Sequence, residues 1–165
     1  MAKQKKRLFD VITIFPEMID SYSKESILGR AQKNKLIQIK SHNLRDFTSD
    51  KHSKVDDTPY GGGPGMLMKV EPFYKAVKKI KKKLKKSRVI MTAASGKPFT
   101  QKDAKRLSKY DQVIFLCGRY EGIDHRVNEK IADETFSVGN YVLTGGELPA
   151  LTMIDAISRM VPGVL

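Results

Sequence analysis

Short apolar runs alternate with segments of helical periodicity along this chain. Four of the runs predict buried strands, because they are rich in β-branched and aromatic residues and are too short for helices. These runs lie at residues 8–15, 36–39, 88–92 and 112–117. A weaker run near residues 141–143 predicts one more strand towards the end of the chain.

The segments between these runs repeat apolar residues every three or four positions, which predicts helices. Pro16 suits a first helical turn, and the periodicity that follows it continues to Leu28. The other helices are predicted at residues 71–86, 100–108, 124–132 and 147–160. Strands that alternate with helices predict an α/β fold: one domain with a parallel sheet and helices on both faces.

Residues 43–65 predict a long loop that ends in Tyr60-Gly61-Gly62-Gly63-Pro64-Gly65. Loops of this length inside a compact domain are usually functional. No internal repeat and no Ser/Pro-rich linker divides the chain, so the loop belongs to the single predicted domain.

The composition is that of an ordinary globular protein, with 40% hydrophobic and 30% charged residues in a chain of 165. No stretch approaches the ~18 consecutive apolar residues of a membrane-spanning helix. The basic start is not followed by a long apolar segment, so we expect no signal peptide. A single cysteine, Cys117, agrees with a cytoplasmic protein.

The net charge of +13, from 31 Lys and Arg against 18 Asp and Glu, favours a polyanionic partner such as nucleic acid. Many of the cations fall in one run: Lys75, Lys78, Lys79, Lys81, Lys82, Lys83, Lys85, Lys86 and Arg88. The apolar stripe within it, formed by Phe73, Val77, Ile80 and Leu84, predicts a helix that packs by one edge. The lysines are then either a solvated face or a surface for an RNA backbone.

The residues give no sign of a metal site or of a nucleophilic cysteine. His42, His52 and His125 are far apart in sequence and have no Cys or carboxylate at ligand spacing. Cys117 ends the apolar run VIFLC, which favours a small buried hydrophobic residue over a nucleophile.

The placement of the glycines argues against a Rossmann-type site. The first strand runs into Phe15-Pro16-Glu17-Met18, without the glycines that follow the first strand in dinucleotide-binding folds. Glycines collect instead after later strands, in Ser95-Gly96, Gly118–Gly122, Gly139 and Gly145-Gly146. Because loops at the carboxyl ends of parallel strands line ligand crevices, these clusters predict a nucleoside cofactor site, with simple tight turns as the alternative.

Four motifs resemble, in order, signatures of the bacterial tRNA (guanine-N1)-methyltransferases. They are Tyr60-Gly61-Gly62-Gly63-Pro64-Gly65-Met66, Cys117-Gly118-Arg119-Tyr120-Glu121-Gly122-Ile123-Asp124, Tyr141-Val142-Leu143-Thr144-Gly145-Gly146-Glu147-Leu148-Pro149-Ala150 and Ser158-Arg159-Met160-Val161-Pro162-Gly163-Val164-Leu165. Phe15-Pro16-Glu17-Met18 fits as well, and the resemblance runs from about residue 8 to the end.

The resemblance implies the trefoil-knotted α/β fold of the SPOUT superfamily and S-adenosylmethionine as cofactor. It implies a homodimer whose active sites lie at the subunit interface. The expected reaction methylates nitrogen 1 of guanosine 37 in tRNA, beside the anticodon, which supports reading-frame maintenance. A knotted methyltransferase that acts on another RNA position and a non-catalytic basic RNA-binding protein are the alternatives.

The resemblance also implies site residues. The cofactor pocket is expected to include Gly118, Tyr120, Val138, Gly139, Asn140, Tyr141, Val142, Leu143, Gly145 and Gly146. Two positions depart from the family pattern: Asn140 stands where an aspartate is usual, and Ala93-Ala94-Ser95-Gly96 replaces Ser-Pro-Gln-Gly.

Methylation of guanine nitrogen 1 requires a base for its proton and a cation near the adjacent oxygen. The resemblance assigns the cation to Arg159, whereas the residues alone favour helix capping or a pair with Asp155. The implied base is an aspartate that follows the Pro-Gly-Val-Leu motif, where the printed sequence ends. A chain ending at Leu165 would lack that base and the C-terminal tRNA-binding helical domain, and we expect it to be nearly inactive alone.

Overall fold

The structure, a computed structural model, describes residues 3–59, 61–83 and 85–165. The strands in chain order are β1 (Arg7–Thr13), β2 (Ile37–Asn43), β3 (Asp56–Asp57), β4 (Leu67–Met68), β5 (Ser87–Pro98), β6 (Gln112–Leu116) and β7 (Glu134–Ser137). Five of them form one parallel sheet in the order β2-β1-β6-β5-β7. The short strands β3 and β4 form a separate antiparallel pair.

Helices cover both faces of the sheet, which confirms the α/β class. They are α1 (Pro16–Ser23), α2 (Ser26–Lys33), α3 (Val70–Ile80), α4 (Gln101–Leu107), α5 (His125–Lys130) and α6 (Glu147–Arg159). Buried side chains of α1, α2, α4 and α6 share one core cluster with the sheet, and those of α3 and α5 share the other. The knotted path of the chain stays a prediction from the resemblance.

The central strand β6 shows why the strongest apolar run was recognisable. All five of its residues are buried. Val113 and Phe115 contribute to the core on one face, and Ile114 and Leu116 contribute to the core on the other. A strand that is buried on both faces reads as a continuous apolar run.

The strand predicted at residues 141–143 is wrong. That segment is a loop in which the side chains of Tyr141 and Val142 are 57% and 85% exposed. The last strand is instead β7, which pairs with β5 at the edge of the sheet. Its four residues, Glu-Thr-Phe-Ser, are mostly polar and carry little apolar pattern.

The helix predicted from Pro16 to Leu28 is two helices, α1 and α2. The chain turns at Lys24 and Glu25, and Ser26 has a φ of 52°. Gly29 permits this turn, because a Cβ atom there would lie 2.8 Å from the carbonyl carbon of Lys24. The break is therefore a feature of close backbone packing, which apolar periodicity does not reveal.

The helix predicted at residues 71–86 ends at Ile80, and Lys81 is already extended. Successive lysines repel one another in a helix, and Lys82 instead donates its backbone N–H to the side chain of Gln112. Leu84, part of the predicted apolar stripe, lies outside the described residues, as does Tyr60 of the predicted loop. That loop is also more ordered than expected, since it contains a 3-10 helix at Leu44–Phe47 and strand β3.

Candidate functional site

A cavity of about 560 Å³ opens at the carboxyl ends of β5, β6 and β7. Its walls are the distorted second half of β5 and the loops that follow β6 and β7. In parallel α/β sheets this edge is where ligands bind, and the volume lies in the range of small-molecule and cofactor sites. The cavity is therefore the first candidate for a functional site.

Hydrogen bonds between backbones bring three of the sequence motifs together at this cavity. The N–H of Gly146 donates to the carbonyl of Gly118 over 2.9 Å. The N–H of Met68 donates to the carbonyl of Gly122 over 3.0 Å, and that of Glu121 to Met66 over 3.1 Å. Motifs that lie far apart in the sequence thus form one continuous wall.

The wall is a close-packed backbone surface that requires glycine at particular places. A Cβ atom on Gly146 would lie 2.9 Å from both the Cα of Cys117 and the backbone nitrogen of Gly118. Gly122 closes the adjacent turn with a φ of +115°, a conformation that side chains disfavour. Tight packing and positive φ together explain why glycines collect in these loops.

Most of the residues predicted for the cofactor pocket line the cavity. They are Gly118, Tyr120, Val138, Gly139, Tyr141, Val142, Leu143, Gly145 and Gly146. Asn140 is the exception, because it is exposed at the tip of its loop and is not part of the lining. The looser Ala93-Ala94-Ser95-Gly96 segment also lines the cavity, as part of β5.

The loop after β7 is held by residues that the sequence analysis did not single out. The hydroxyl of Ser137 donates to the carbonyl of Gly139 over 2.9 Å and accepts its N–H over 3.2 Å. The ring of Tyr141 lies where a side chain on Gly139 would have to be. The loop therefore folds back on itself and keeps an open face towards the cavity.

Arg119 places a fixed cation in the cavity wall. Its Nε donates to Oε1 of Glu147 over 2.8 Å, and its guanidinium carbon lies 4.7 Å from the centre of the Phe15 ring. The side chain of Glu147 is only 1% exposed, and its Oε2 has no hydrogen-bond partner among the described residues. Both residues belong to quoted motifs, but their pairing depends on tertiary structure and carried no sequence signal of its own.

Cys117 is buried beneath the cavity, which confirms the sequence prediction. Burial raises the pKa of its thiol well above the usual value, and the nearby carboxylate of Glu147 raises it further. A thiol held in its neutral form is a poor nucleophile. Cys117 therefore acts as a small packing residue.

Arg159 does not line this cavity. It is the last residue of α6 and is exposed beside a second, shallower groove of about 130 Å³ that also includes Tyr22 and Asp155. Asp155 accepts a hydrogen bond from the hydroxyl of Tyr22 over 2.8 Å, which raises the pKa of that tyrosine. The alternative pairing of Arg159 with Asp155 is wrong, since no ion pair joins these two described residues.

The histidines lie in unrelated places, and His42 bonds through Nε2 to Oδ1 of Asp10 over 2.7 Å. Among residues 3–59, 61–83 and 85–165, no three His, Cys, Asp or Glu side chains are grouped so that they could hold a metal ion. Within the same ranges no helix has the length and apolar character needed to cross a membrane.

Comparison with known proteins adds the family. The family model described as tRNA (Guanine-1)-methyltransferase TrmD matches residues 7–165. A relative from Ruminiclostridium cellulolyticum, named tRNA (guanine-N(1)-)-methyltransferase, is 53% identical over 95% of this chain and 68% of its own length. Relatives of the same name from Dictyoglomus turgidum and Pseudoalteromonas atlantica are 55% and 49% identical over 94% and 100% of this chain.

The chain spans 62% and 63% of the length of the Dictyoglomus and Pseudoalteromonas proteins, so these relatives contain a further part that the match does not include. The matched region nevertheless includes the whole sheet and every loop of the cavity. A reaction that places a methyl group on guanine requires a methyl donor, and the cavity is the largest space described for one. On this evidence the chain belongs to the tRNA (guanine-1)-methyltransferase family.

Proposed function

We propose that the cavity binds S-adenosylmethionine and that the protein methylates nitrogen 1 of guanosine 37 in tRNA. One observation carries this proposal: three glycine-rich motifs converge on a cavity at the carboxyl edge of the sheet, in a chain whose relatives are named tRNA (guanine-N(1)-)-methyltransferases. A tRNA substrate also agrees with the net charge of +13 and with a cytoplasmic location.

The lining of the cavity fits a nucleoside. The backbones at Gly118, Gly145 and Gly146 leave a surface free of side chains, where peptide groups can approach a flat purine closely. Val142 and Leu143 supply apolar contact on the facing loop. The bound cofactor would supply an activated methyl group, and the proposed cofactor-binding residues are Gly118, Tyr120, Val138, Gly139, Tyr141, Val142, Leu143, Gly145 and Gly146, with Asn140 at the rim.

Arg159 is the proposed cation that stabilises negative charge on the guanine oxygen as nitrogen 1 loses its proton. In a single chain it lies beside a separate groove, so the cavity and Arg159 do not form one site there. We therefore propose a homodimer in which the partner subunit completes the active site. The exposed apolar side chains around the cavity, Tyr141, Val142 and Leu148, support such an interface.

The base that accepts the proton of nitrogen 1 is, by the family resemblance, an aspartate after the Pro-Gly-Val-Leu motif. The longer relatives contain sequence beyond the matched region that can provide this base and a tRNA-binding helical domain. We propose that full activity requires both. A positioned general base contributes about 10²- to 10⁴-fold to the rate.

A methyl-transfer assay on unmodified tRNA with guanosine at position 37 tests the proposal. It compares residues 1–165 with a fusion that adds the part of the Ruminiclostridium relative not matched by this chain. We expect the fusion to form 1-methylguanosine and the 165-residue chain to be at least about 10²-fold slower. Arg159→Ala in the fusion should abolish turnover while cofactor binding persists. Equal rates for chain and fusion would place the base within residues 1–165, and a fusion without activity would contradict the proposal.

A further inference from the structure

A second feature of the molecule is a strongly basic surface that the cavity does not use. Residues 72–102 contain no aspartate and no glutamate. Seven lysines at the end of α3 and in the segment after it are exposed, and we call them the basic surface: Lys78, Lys79, Lys81, Lys82, Lys83, Lys85 and Lys86.

Hydrogen bonds fix the basic surface at the amino-terminal edge of the sheet. The backbone N–H of Lys82 donates to the side-chain oxygen of Gln112 over 2.9 Å, and that of Lys86 donates to Oδ2 of Asp111 over 3.0 Å. Gln112 begins β6, whereas Gly118 in the cavity wall follows its other end. Six residues of extended chain separate them by roughly 20 Å. The basic surface is therefore distinct from the cofactor cavity.

The charges of the basic surface are not neutralised from within the protein. In the part of the chain that the structure describes, none of its lysines lies within ion-pair distance of a carboxylate. The ion pairs nearby belong to flanking residues, as in Lys75 with Glu71 and Arg88 with Glu134. Lys86 instead lies over the ring of Tyr110, 4.6 Å from its centre.

An ordinary solvated surface mixes both signs of charge, because dense like charges repel and destabilise the folded state. A surface of one sign that is fixed to a sheet edge gains when a partner supplies closely spaced anions. RNA supplies one per nucleotide, and binding releases the counterions that surround it. A lipid surface fits less well, because the apolar side of α3 is turned inwards: Phe73, Ala76 and Ile80 are buried in the core.

We propose that the basic surface binds the phosphate backbone of the tRNA substrate at a position remote from the guanine that is methylated. This inference rests on the proposed function for the identity of the RNA. It assigns the lysine run a positioning role, since contacts to phosphates fix the orientation of an RNA without reading its sequence.

Binding of unmodified tRNA by the 165-residue chain, measured between 50 and 200 mM salt, tests this proposal. The variant K81Q/K82Q/K83Q/K85Q removes four charges from the basic surface. The control K24Q/K40Q/K54Q/K102Q removes four charges from exposed lysines scattered over the molecule. Each lost phosphate contact lowers the slope of log affinity against log salt by about 0.7 to 0.9, so the first variant should lose about 3 units. The control should lose less than about 1 unit.

Equal losses of slope in the two variants, or no binding of tRNA by the unmodified chain, would overturn the proposal. Thermal unfolding and S-adenosylmethionine binding are measured on the same variants, and both should match the unmodified chain because the substitutions lie far from the cavity. If the unmodified chain binds tRNA through the basic surface but does not bind S-adenosylmethionine, the proposed function fails while this inference stands.

Discussion

At the scale of single residues, the pair formed by Arg119 and Glu147 decides the stability of the cavity wall. Glu147 is buried and meets one cation, so removing Arg119 would leave a carboxylate without its counter-charge in the protein interior. We expect Arg119→Leu to destabilise the protein by about 3–5 kcal/mol. Urea denaturation measures the free energy of unfolding.

A second substitution separates loss of the charge pair from loss of packing. In Arg119→Leu combined with Glu147→Gln, no charge is buried alone, so the double variant should be more stable than Arg119→Leu by itself. If the two destabilisations simply add, the ion pair does not stabilise the wall as we describe.

The adjacent glycines provide a matched pair of substitutions. An added Cβ on Gly146 meets backbone atoms of Cys117 and Gly118, whereas on Gly145 it meets only the end of the Arg119 side chain. Gly146→Ala should therefore destabilise the fold by about 1–3 kcal/mol and abolish cofactor binding, because the backbone must shift. Gly145→Ala should stay closer to the unmodified protein in thermal unfolding. A reversed order of the two melting temperatures would contradict this description of the wall.

At the scale of elements, the edge strand β7 is joined to its neighbours by one side chain. Glu134 accepts hydrogen bonds from Arg88 of β5 over 2.8 Å and from Arg106 of α4 over 2.7 Å. Burial raises the pKa of Glu134, but the bonds from Arg106 and Arg88 outweigh it, so the pKa lies below the ordinary value of 4.5.

This lowered pKa gives a pH prediction. The stabilisation by Glu134 is fully present above the ordinary glutamate pKa and is lost as the pH falls through the lower value of the folded state. Glu134→Gln should therefore reduce stability at pH 7 and have a smaller effect near pH 3. Denaturation at both pH values measures the difference, and an effect that is equal at the two would show that the charge of Glu134 does not matter.

The elements also show what the sequence can and cannot predict. β6 was predictable because burial on both faces leaves a continuous apolar run, and the glycine clusters were visible because close backbone packing excludes other residues. β7 was missed because a short edge strand carries polar residues. The pairing of Arg119 with Glu147 and the break at Lys24 depend on contacts between distant segments, which no local pattern records.

At the scale of the whole molecule, the two ends of one sheet carry two different surfaces. The carboxyl edge holds the glycine-lined cavity, and the amino edge holds the basic surface. Because strands run from one edge to the other, the proposed cofactor and the proposed backbone contact are held at a fixed separation by β6. Arg159 lies apart from the cavity in the single chain, which is why the proposed enzyme requires a second subunit.

Calorimetric titration of the 165-residue chain with S-adenosylmethionine, in the absence of RNA, tests the central claim most directly. The cavity loops are complete within this chain, so we predict saturable binding that Gly146→Ala abolishes. Thermal unfolding should shift in parallel, since a ligand at about 100 times its dissociation constant adds about 2.7 kcal/mol of stability. A folded chain that gives neither heat nor a thermal shift at millimolar S-adenosylmethionine would contradict the assignment of the cavity.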